Sequence, residues 1–334
     1  MVFPQLQRYL AILLFGVLSM LFAEVFSGSS TLWFVTPWGV FLTLSLYLAH
    51  AVFFFTVAVR TNRTSPRQLY FFGMMFGLYE ALITKVIWYG YPGSTGPTVG
   101  YFFGIAWGEF LTLVLFWHPI MSFLVPVFVY EIVSRDIIPS HQRFLQKNKT
   151  TMLVALILVL MGAVFQSNGA KYNVLIALGS LGGTILIILV LHRLTLGKNL
   201  SSIVLGRRGL GSIVVFLIGL YTFSSVSFFP ERLPRSILPY ILIFLCYLGA
   251  IGLVWLDRST KTINLENNPI ISVQDLRVLV VILLAATIVF SLLPQLSIII
   301  LTVLFVSLMG LGVVLFLWSF FSLMYQRISS QAHS

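Results

Sequence analysis

The chain contains 334 residues, of which 59% are hydrophobic and 9% are charged, and it carries a formal net charge of +11. A soluble globular protein has about 25% charged residues, so the composition excludes that class and predicts a multi-pass integral protein of the cell membrane. The single cysteine, Cys246, excludes an intrachain disulfide framework. The basic excess is better explained by loops that face anionic lipid than by nucleic-acid binding, so nucleic acid is not an expected partner.

Ten apolar segments, taken in chain order, are long enough to cross a membrane, which requires about 20 apolar residues. The fourth of them is long enough for two short spans, and Pro119 or Pro126 could kink it. The predicted fold class is all-α, a polytopic helical bundle of about ten transmembrane helices without a soluble domain. The segments are residues 9–27, 33–58, 68–89, 99–134, 150–167, 172–192, 211–229, 236–256, 278–293 and 296–325.

The distribution of lysine and arginine favours a single crossing by residues 99–134. With ten spans, sixteen basic residues fall in loops on one side, three fall on the other, and Lys85 remains within the membrane. Cytoplasmic loops carry the basic excess, so we expect both termini to be cytoplasmic. The sixteen are Arg8, Arg60, Arg63, Arg67, Arg135, Arg143, Lys147, Lys149, Arg193, Lys198, Arg207, Arg208, Arg258, Lys261, Arg277 and Arg327.

Ionisable residues deep in the predicted membrane all fall within the first 134 residues. A charge at the bilayer centre costs roughly 2.5–3.5 kcal/mol on the insertion scale, so such residues are rarely without a function. We therefore expect residues 1–134 to form a polar-lined functional half of four helices and residues 135–334 to form an apolar scaffold half of six. The residues concerned are Glu24, His50, Glu80, Lys85, Glu109 and His118, with Glu131 near an inner edge, where it would pair with Arg135.

Glu80, Glu109 and His118 are the candidate catalytic residues. Glu80 and Glu109 are expected near the middle of spans three and four, where two carboxylates at one site could handle protons or a cation. A Glu/His set could also bind zinc or activate water, but no metal-binding motif is present, and neither a metal ligand nor a cofactor is assigned. Glu24, His50 and Lys85 are candidates for a substrate or ion pathway.

Glycines beside these glutamates predict that spans three and four pack closely. Gly73 and Gly77 form a ridge one turn before Glu80. Gly100, Gly104 and Gly108 form a second ridge that ends beside Glu109. Small residues let two helix backbones approach each other in a membrane, which would bring the two carboxylates within reach of a shared water, a cation or Lys85.

Three stretches of the N-terminal part resemble a family of uncharacterised bacterial and archaeal polytopic membrane proteins. They are Glu24–Ser29, Gly73–Glu80 and His118–Pro126, the last continuing to Glu131. That family has a double glutamate where this chain has Glu80-Ala81, and the resemblance implies no activity. The same residues are more distantly similar to CAAX-type glutamate intramembrane proteases. This similarity implies that Glu80 activates water and that His118 is an active-site histidine.

Three functions remain open at this point. A transporter or permease with proton or cation coupling is favoured by a small margin, with an intramembrane hydrolase and a non-catalytic subunit or scaffold as alternatives. A transporter should have a cavity open to one side, whereas a hydrolase should hold a carboxylate and an imidazole within about 3–5 Å at a water pocket. The expected partners are the lipid bilayer and either a small ion or a lipid or peptide substrate.

Overall fold

The computed structural model describes residues 4–91, 93–94, 96–195, 198–257 and 269–331. Within these ranges the protein is a helical bundle, which confirms the predicted all-α polytopic fold. The helices are α1 (Gln5–Val25), α2 (Trp38–Arg60), α3 (Pro66–Gly77), α4 (Tyr79–Leu82), α5 (Val86–Tyr89), α6 (Trp107–Ser134), α7 (Lys149–Gly169), α8 (Val174–Leu194), α9 (Arg207–Ser227), α10 (Leu238–Leu256), α11 (Val273–Leu292) and α12 (Pro294–Gln331).

Nine of the described helices, α1, α2 and α6–α12, are long and apolar enough to cross a membrane. Each corresponds to one of the ten predicted segments. A one-turn helix, Gln142–Leu145, lies in the connection between α6 and α7. Short 3₁₀ helices lie in the connections at Trp33–Val35, Pro139–His141, Leu200–Ser202 and Pro230–Arg232.

The third predicted span, residues 68–89, is broken into α3, α4 and α5. A capping box starts α3, because the Ser65 side chain accepts from the Gln68 N–H and the Gln68 side chain accepts from the Ser65 N–H. The interruption before α5 occurs at Lys85, whose backbone is left-handed with φ of 58°. The apolar composition of this segment predicted its place in the membrane but not this break.

The broken segment nevertheless runs the full length of its neighbour α10. At one end, Gln68 Nε2 donates to the Asp257 carbonyl just after α10, with an N–O distance of 2.7 Å. At the other end, the Trp88 ring packs on Tyr240 near the start of α10, with ring centroids 4.8 Å apart. Together with the nine long helices, this segment would complete the ten predicted passes, and that number stays a prediction.

The fourth predicted span begins later than the sequence indicated. Residues 101–106 form a small antiparallel hairpin of β1 (Tyr101–Phe102) and β2 (Ile105–Ala106), and α6 begins at Trp107. Gly100 and Gly104 have positive φ values of 62° and 75°, so they shape this hairpin and are not part of a helical ridge. The prediction that they pack against span three is therefore wrong.

One continuous helix, α6, follows the hairpin. Its middle, Leu113–Leu124, has π-helical hydrogen bonding around Pro119. Proline lacks a backbone N–H and interrupts the α-helical pattern, and a π-helical turn accommodates the interruption without ending the helix.

The loops predicted to share one side of the membrane lie together at one end of the bundle, here called the basic end. The contacts are Arg8 with the carbonyls of Ser202 and Val204, Arg60 with that of Leu205, Arg67 with Asp257 and Gln326, and Lys147 with Asp275. Arg258 and Lys261 lie outside the described residues. That the basic end is cytoplasmic stays a prediction.

The N-terminal helices form the centre of the bundle. The membrane-spanning part of α6 is 78% buried by the rest of the protein, whereas that of α12 is 11% buried. A helix that is apolar all round and exposed in the protein faces lipid. The candidate polar residues, which lie mostly on α1–α6, are therefore enclosed by the later helices.

Candidate functional site

Close packing of α3 against α6 brings Glu80 and His118 together. A Cβ atom added to Gly73 would lie 2.5 Å from Pro119 Cα, and one added to Gly77 would lie 3.0 Å from His118 Cβ. Only glycine allows this approach, which confirms the predicted role of the ridge on span three.

Glu80 and His118 form a hydrogen-bonded pair in the bundle interior. The distance from His118 Nε2 to Glu80 Oε1 is 2.9 Å, and both side chains are buried. The other carboxylate oxygen, Oε2, accepts from the Thr84 hydroxyl, one helical turn further along. The other ring nitrogen of the histidine, Nδ1, lies 2.8 Å from Ser122 Oγ. Glu80 and His118 are therefore each oriented by a second hydrogen bond, an arrangement typical of a positioned acid–base pair.

A second carboxylate, Glu24, lies nearby at the end of α1. Tyr47 Oη donates to Glu24 Oε1 at 2.6 Å, and Ser30 Oγ donates to Oε2 at 2.6 Å. Tyr47 Oη also lies 2.6 Å from Tyr79 Oη. A hydroxyl has one proton, so Tyr47, which gives its proton to Glu24, accepts from Tyr79. Tyr47 thus connects Glu24 to Tyr79, which lies on the same short helix as Glu80.

Both carboxylates line one cavity of about 470 Å³, here called the central cavity. Tyr47, Tyr91 and His118 also reach its wall. Ser29, Val99, Thr302 and Val306 line it and are exposed, so the cavity opens between the loops at the end opposite the basic end and helix α12. Burial, together with the charge of Glu80, raises the pKa of Tyr91, which keeps this loop phenol protonated as a hydrogen-bond donor.

Glu109 has a different environment from Glu80. Its Oε1 accepts from the Thr98 N–H at 2.6 Å, in the loop that closes over the start of α6. Among the described residues its buried Oε2 has no hydrogen-bond partner, and Glu109 is not part of the central cavity wall. The partners of Glu80 and Glu109 differ, so the shared carboxylate site stays a prediction.

Lys85 binds to neither glutamate. Its ammonium group donates to the Ser224 carbonyl at 2.6 Å and to the Phe228 carbonyl. These carbonyls lie at the C-terminal end of α9, where the helix dipole favours a positive charge. Of the partners considered for the two glutamates, Lys85 is therefore not one that the described contacts show.

His50 is fixed by two neutral partners. Its Nδ1 lies 2.8 Å from the Leu46 carbonyl and must donate to it, which leaves Nε2 to accept from the Tyr221 hydroxyl at 3.1 Å. The ring also stacks on Phe76, with centroids 5.0 Å apart. His50 thus packs behind the Glu80–His118 pair and is not part of the central cavity wall.

Glu131 has a partner that the sequence did not indicate. Its Oε1 lies 2.7 Å from His141 Nδ1, and His141 Nε2 lies 2.6 Å from the Thr64 carbonyl. Arg135, the expected partner, is the exposed residue at which α6 ends. The helix ends with a left-handed residue there, so the chain turns back and places His141 against Glu131.

The sequence analysis did not identify several side chains that contact the candidate residues. Thr84 and Ser122 each lie four residues after the group they contact, a spacing that puts them on the same helix face and could have identified them. Tyr221 had no local signal. The described residues contain no group of three His, Cys, Asp or Glu side chains arranged to hold a metal ion.

Comparisons with known proteins place the chain in a family without naming an activity. An uncharacterised protein of Archaeoglobus fulgidus is 36% identical over 162 residues, which are 46% of this chain and 49% of the relative. The matched region thus spans about half the length of that relative. No solved structure matches the chain. A family model described as an uncharacterised membrane protein family matches residues 13–328, so this chain belongs to that family, as the N-terminal resemblance predicted.

Proposed function

We propose that this protein is a membrane-embedded hydrolase in which Glu80 activates a water molecule. The observation that carries the proposal is the 2.9 Å contact between Glu80 and His118 at the wall of the central cavity. A carboxylate within hydrogen-bond reach of water and held by an imidazole is the arrangement that general-base catalysis needs.

The proposed chemistry is addition of water to a carbonyl carbon. Glu80 takes one proton as the water oxygen forms its bond to the carbon, and the negative charge moves to the carbonyl oxygen. The protonated Tyr91 can donate a hydrogen bond to that oxygen, while His118 holds the Glu80 carboxylate in place. Collapse of the intermediate breaks the bond to the leaving group, and the proton held by Glu80 passes to it.

The walls of the central cavity restrict the substrate. Glu24 and Glu80 line the cavity, whereas no lysine or arginine is among its described lining residues. Trp117, Phe165 and Phe305 supply an apolar surface. A substrate with an anionic group beside the bond to be cleaved would be repelled, so an apolar ester or amide, neutral or cationic near that bond, fits best.

Proton- or cation-coupled transport is the second candidate. It is favoured by a separate observation, the presence of two carboxylates, Glu24 and Glu80, on one cavity. Tyr47 and Tyr79 extend from Glu24 as hydroxyls that can pass a proton. Ionisable groups that line a cavity within a membrane are also characteristic of ion pathways.

Hydrolysis in ¹⁸O-labelled water would separate the two functions. The purified protein in proteoliposomes is incubated with a panel of apolar peptides and acyl esters, and products are examined by mass spectrometry. We expect one ¹⁸O atom in the acid product of the wild type, no product from Glu80→Gln, and product from the Glu109→Gln control, which lies outside the cavity. Cation or proton uptake that depends on Glu80, without any labelled product, would instead support transport.

A further inference from the structure

A second cavity, of about 370 Å³, lies on the other side of the bundle and is here called the apolar cavity. It is formed between α2, α3 and α10, with Phe54, Phe72, Met75 and Ile251 among its lining residues. Its volume falls in the range of about 300–1,000 Å³ found for small-molecule sites. None of its described lining residues is shared with the central cavity.

The apolar cavity lies at the depth at which the acyl chains of one leaflet would lie. Thr61, which follows α2, and Trp255, near the end of α10, line the cavity at the basic end. Phe53 lies two helical turns deeper, and Tyr247 is at a similar distance from the end of α10, so the cavity extends roughly 12 Å into the membrane at 1.5 Å per residue. Ile251 and Trp255 are exposed at its rim, so the cavity opens sideways toward lipid.

Basic groups surround the end of the apolar cavity that faces the membrane surface. The Arg63 guanidinium lies over the Trp255 ring, 5.1 Å from its centroid. Arg60 is exposed one residue before Thr61. The carboxylate at this end, Asp257, accepts hydrogen bonds from Arg67 Nε at 2.7 Å and from Arg67 Nη2 at 2.9 Å, so its charge is balanced by an arginine outside the cavity wall. An apolar slot in the leaflet with arginines at its surface end matches an anionic lipid.

We propose that the apolar cavity binds one acyl chain of an anionic phospholipid, whose headgroup phosphate lies against Arg60 and Arg63. The aromatic lining contacts the chain, and the arginines select the headgroup. Lipids that only surround the protein have no such preference at one position. This site is independent of the hydrolytic function proposed for Glu80.

Photolabelling with a matched pair of lipids tests the proposal. The full-length protein is reconstituted with trace phosphatidylglycerol or phosphatidylcholine carrying the same diazirine-labelled acyl chain, and adducts are mapped by mass spectrometry. We expect the phosphatidylglycerol probe to label Phe72, Met75 or Tyr247 about fivefold more than the phosphatidylcholine probe, which corresponds to the roughly 1 kcal/mol contributed by a basic residue near anionic lipid. Equal labelling by the two probes would overturn the proposal.

Two variants on α10 supply a matched control. Ile251→Trp fills the cavity rim, whereas Ile241→Trp changes a residue of similar exposure on the same helix, 41% against 44%, outside the cavity. We expect labelling within the cavity to be lost in the first variant and kept in the second, and unchanged labelling in Ile251→Trp would contradict the site. If Ile251→Trp does not fold, Arg60→Gln, an exposed change, must reduce the headgroup preference, and an unchanged preference would refute the role of the arginines.

Discussion

The first 134 residues and the remaining 200 bury polar groups of different kinds. In the first region, ionisable groups from α1, α4 and α6 meet at the central cavity, and those from α4 and α6 are buried. In the second, several buried hydroxyls of the long helices bond to helix carbonyls or to a neighbouring hydroxyl. The Ser167 hydroxyl donates to the Ala163 carbonyl at 2.7 Å and lies 3.2 Å from the Thr287 carbonyl, and Ser291 donates to Ser167 at 3.1 Å. Hydroxyls satisfied in this way hold helices together but offer no group for chemistry.

The comparison also shows that the second region takes part in building the site. Tyr221 and the carbonyls of Ser224 and Phe228 hold His50 and Lys85 of the first region. The stretch Leu301–Val306 of α12 supplies one wall of the central cavity. We propose that the first region carries the reacting groups and that the second positions and encloses them.

Loss of the Glu80 carboxylate should give the largest effect, a fall in the rate of hydrolysis, because we place the reacting groups in the first region. Glu80→Gln keeps the shape and can keep a hydrogen bond to His118, but it cannot take a proton, so hydrolysis should fall by about 10²–10⁴-fold. Initial rates with the ester or amide identified in ¹⁸O-labelled water measure this. Size-exclusion profiles serve as the folding control, and a folded variant of normal activity would remove Glu80 from the mechanism.

A smaller effect is expected when a methyl group is added to a helix in each region, measured as the loss of folding stability. Gly73→Ala forces a Cβ atom against the Pro119 backbone and should destabilise the protein by about 1–3 kcal/mol. Gly219→Ala on α9 is the matched control, because no atom lies within 4 Å of its added Cβ. Thermal unfolding in one detergent compares the two. Equal midpoints would show that α3 and α6 are not packed as closely as described.

The smallest effect is expected in the hydroxyl network of the second region. Ser291→Ala removes one hydrogen bond to Ser167 and should lower the free energy of unfolding by about 0.5–1.5 kcal/mol. Because neither Ser167 nor Ser291 lines the central cavity, the rate of hydrolysis per folded molecule should not change. A fall in that rate with a normal unfolding midpoint would contradict the division between the regions.

The helical membrane fold and the central residues could be predicted from sequence because both follow from composition. Apolar length marks a span, and an ionisable residue within a span must face the protein interior. His118 and Glu80 were both singled out for this reason. The glycines at 73 and 77 further indicated where α3 would approach its neighbour.

The partners of these residues could not be predicted, because contact between helices depends on rotation and register that one sequence does not reveal. Similar depth in the membrane suggested Glu109 as the partner of Glu80. However, α6 begins only at Trp107, which places Glu109 in its first turn beside Thr98. Gly100 and Gly104 matched a small-residue ridge by spacing alone, although their backbone makes a hairpin. Lys85 binds helix-end carbonyls that have no signature in the sequence.

A double-mutant cycle at Glu80 and His118 tests most directly that these residues act as one unit. Rates of hydrolysis are measured for Glu80→Gln, His118→Gln and the double variant, with unfolding midpoints as the control. Residues that work together in one step are strongly non-additive, so the double variant should be no slower than the slower single variant. Losses that multiply in the double variant would contradict a shared role, and the contact between the two residues would then be structural only.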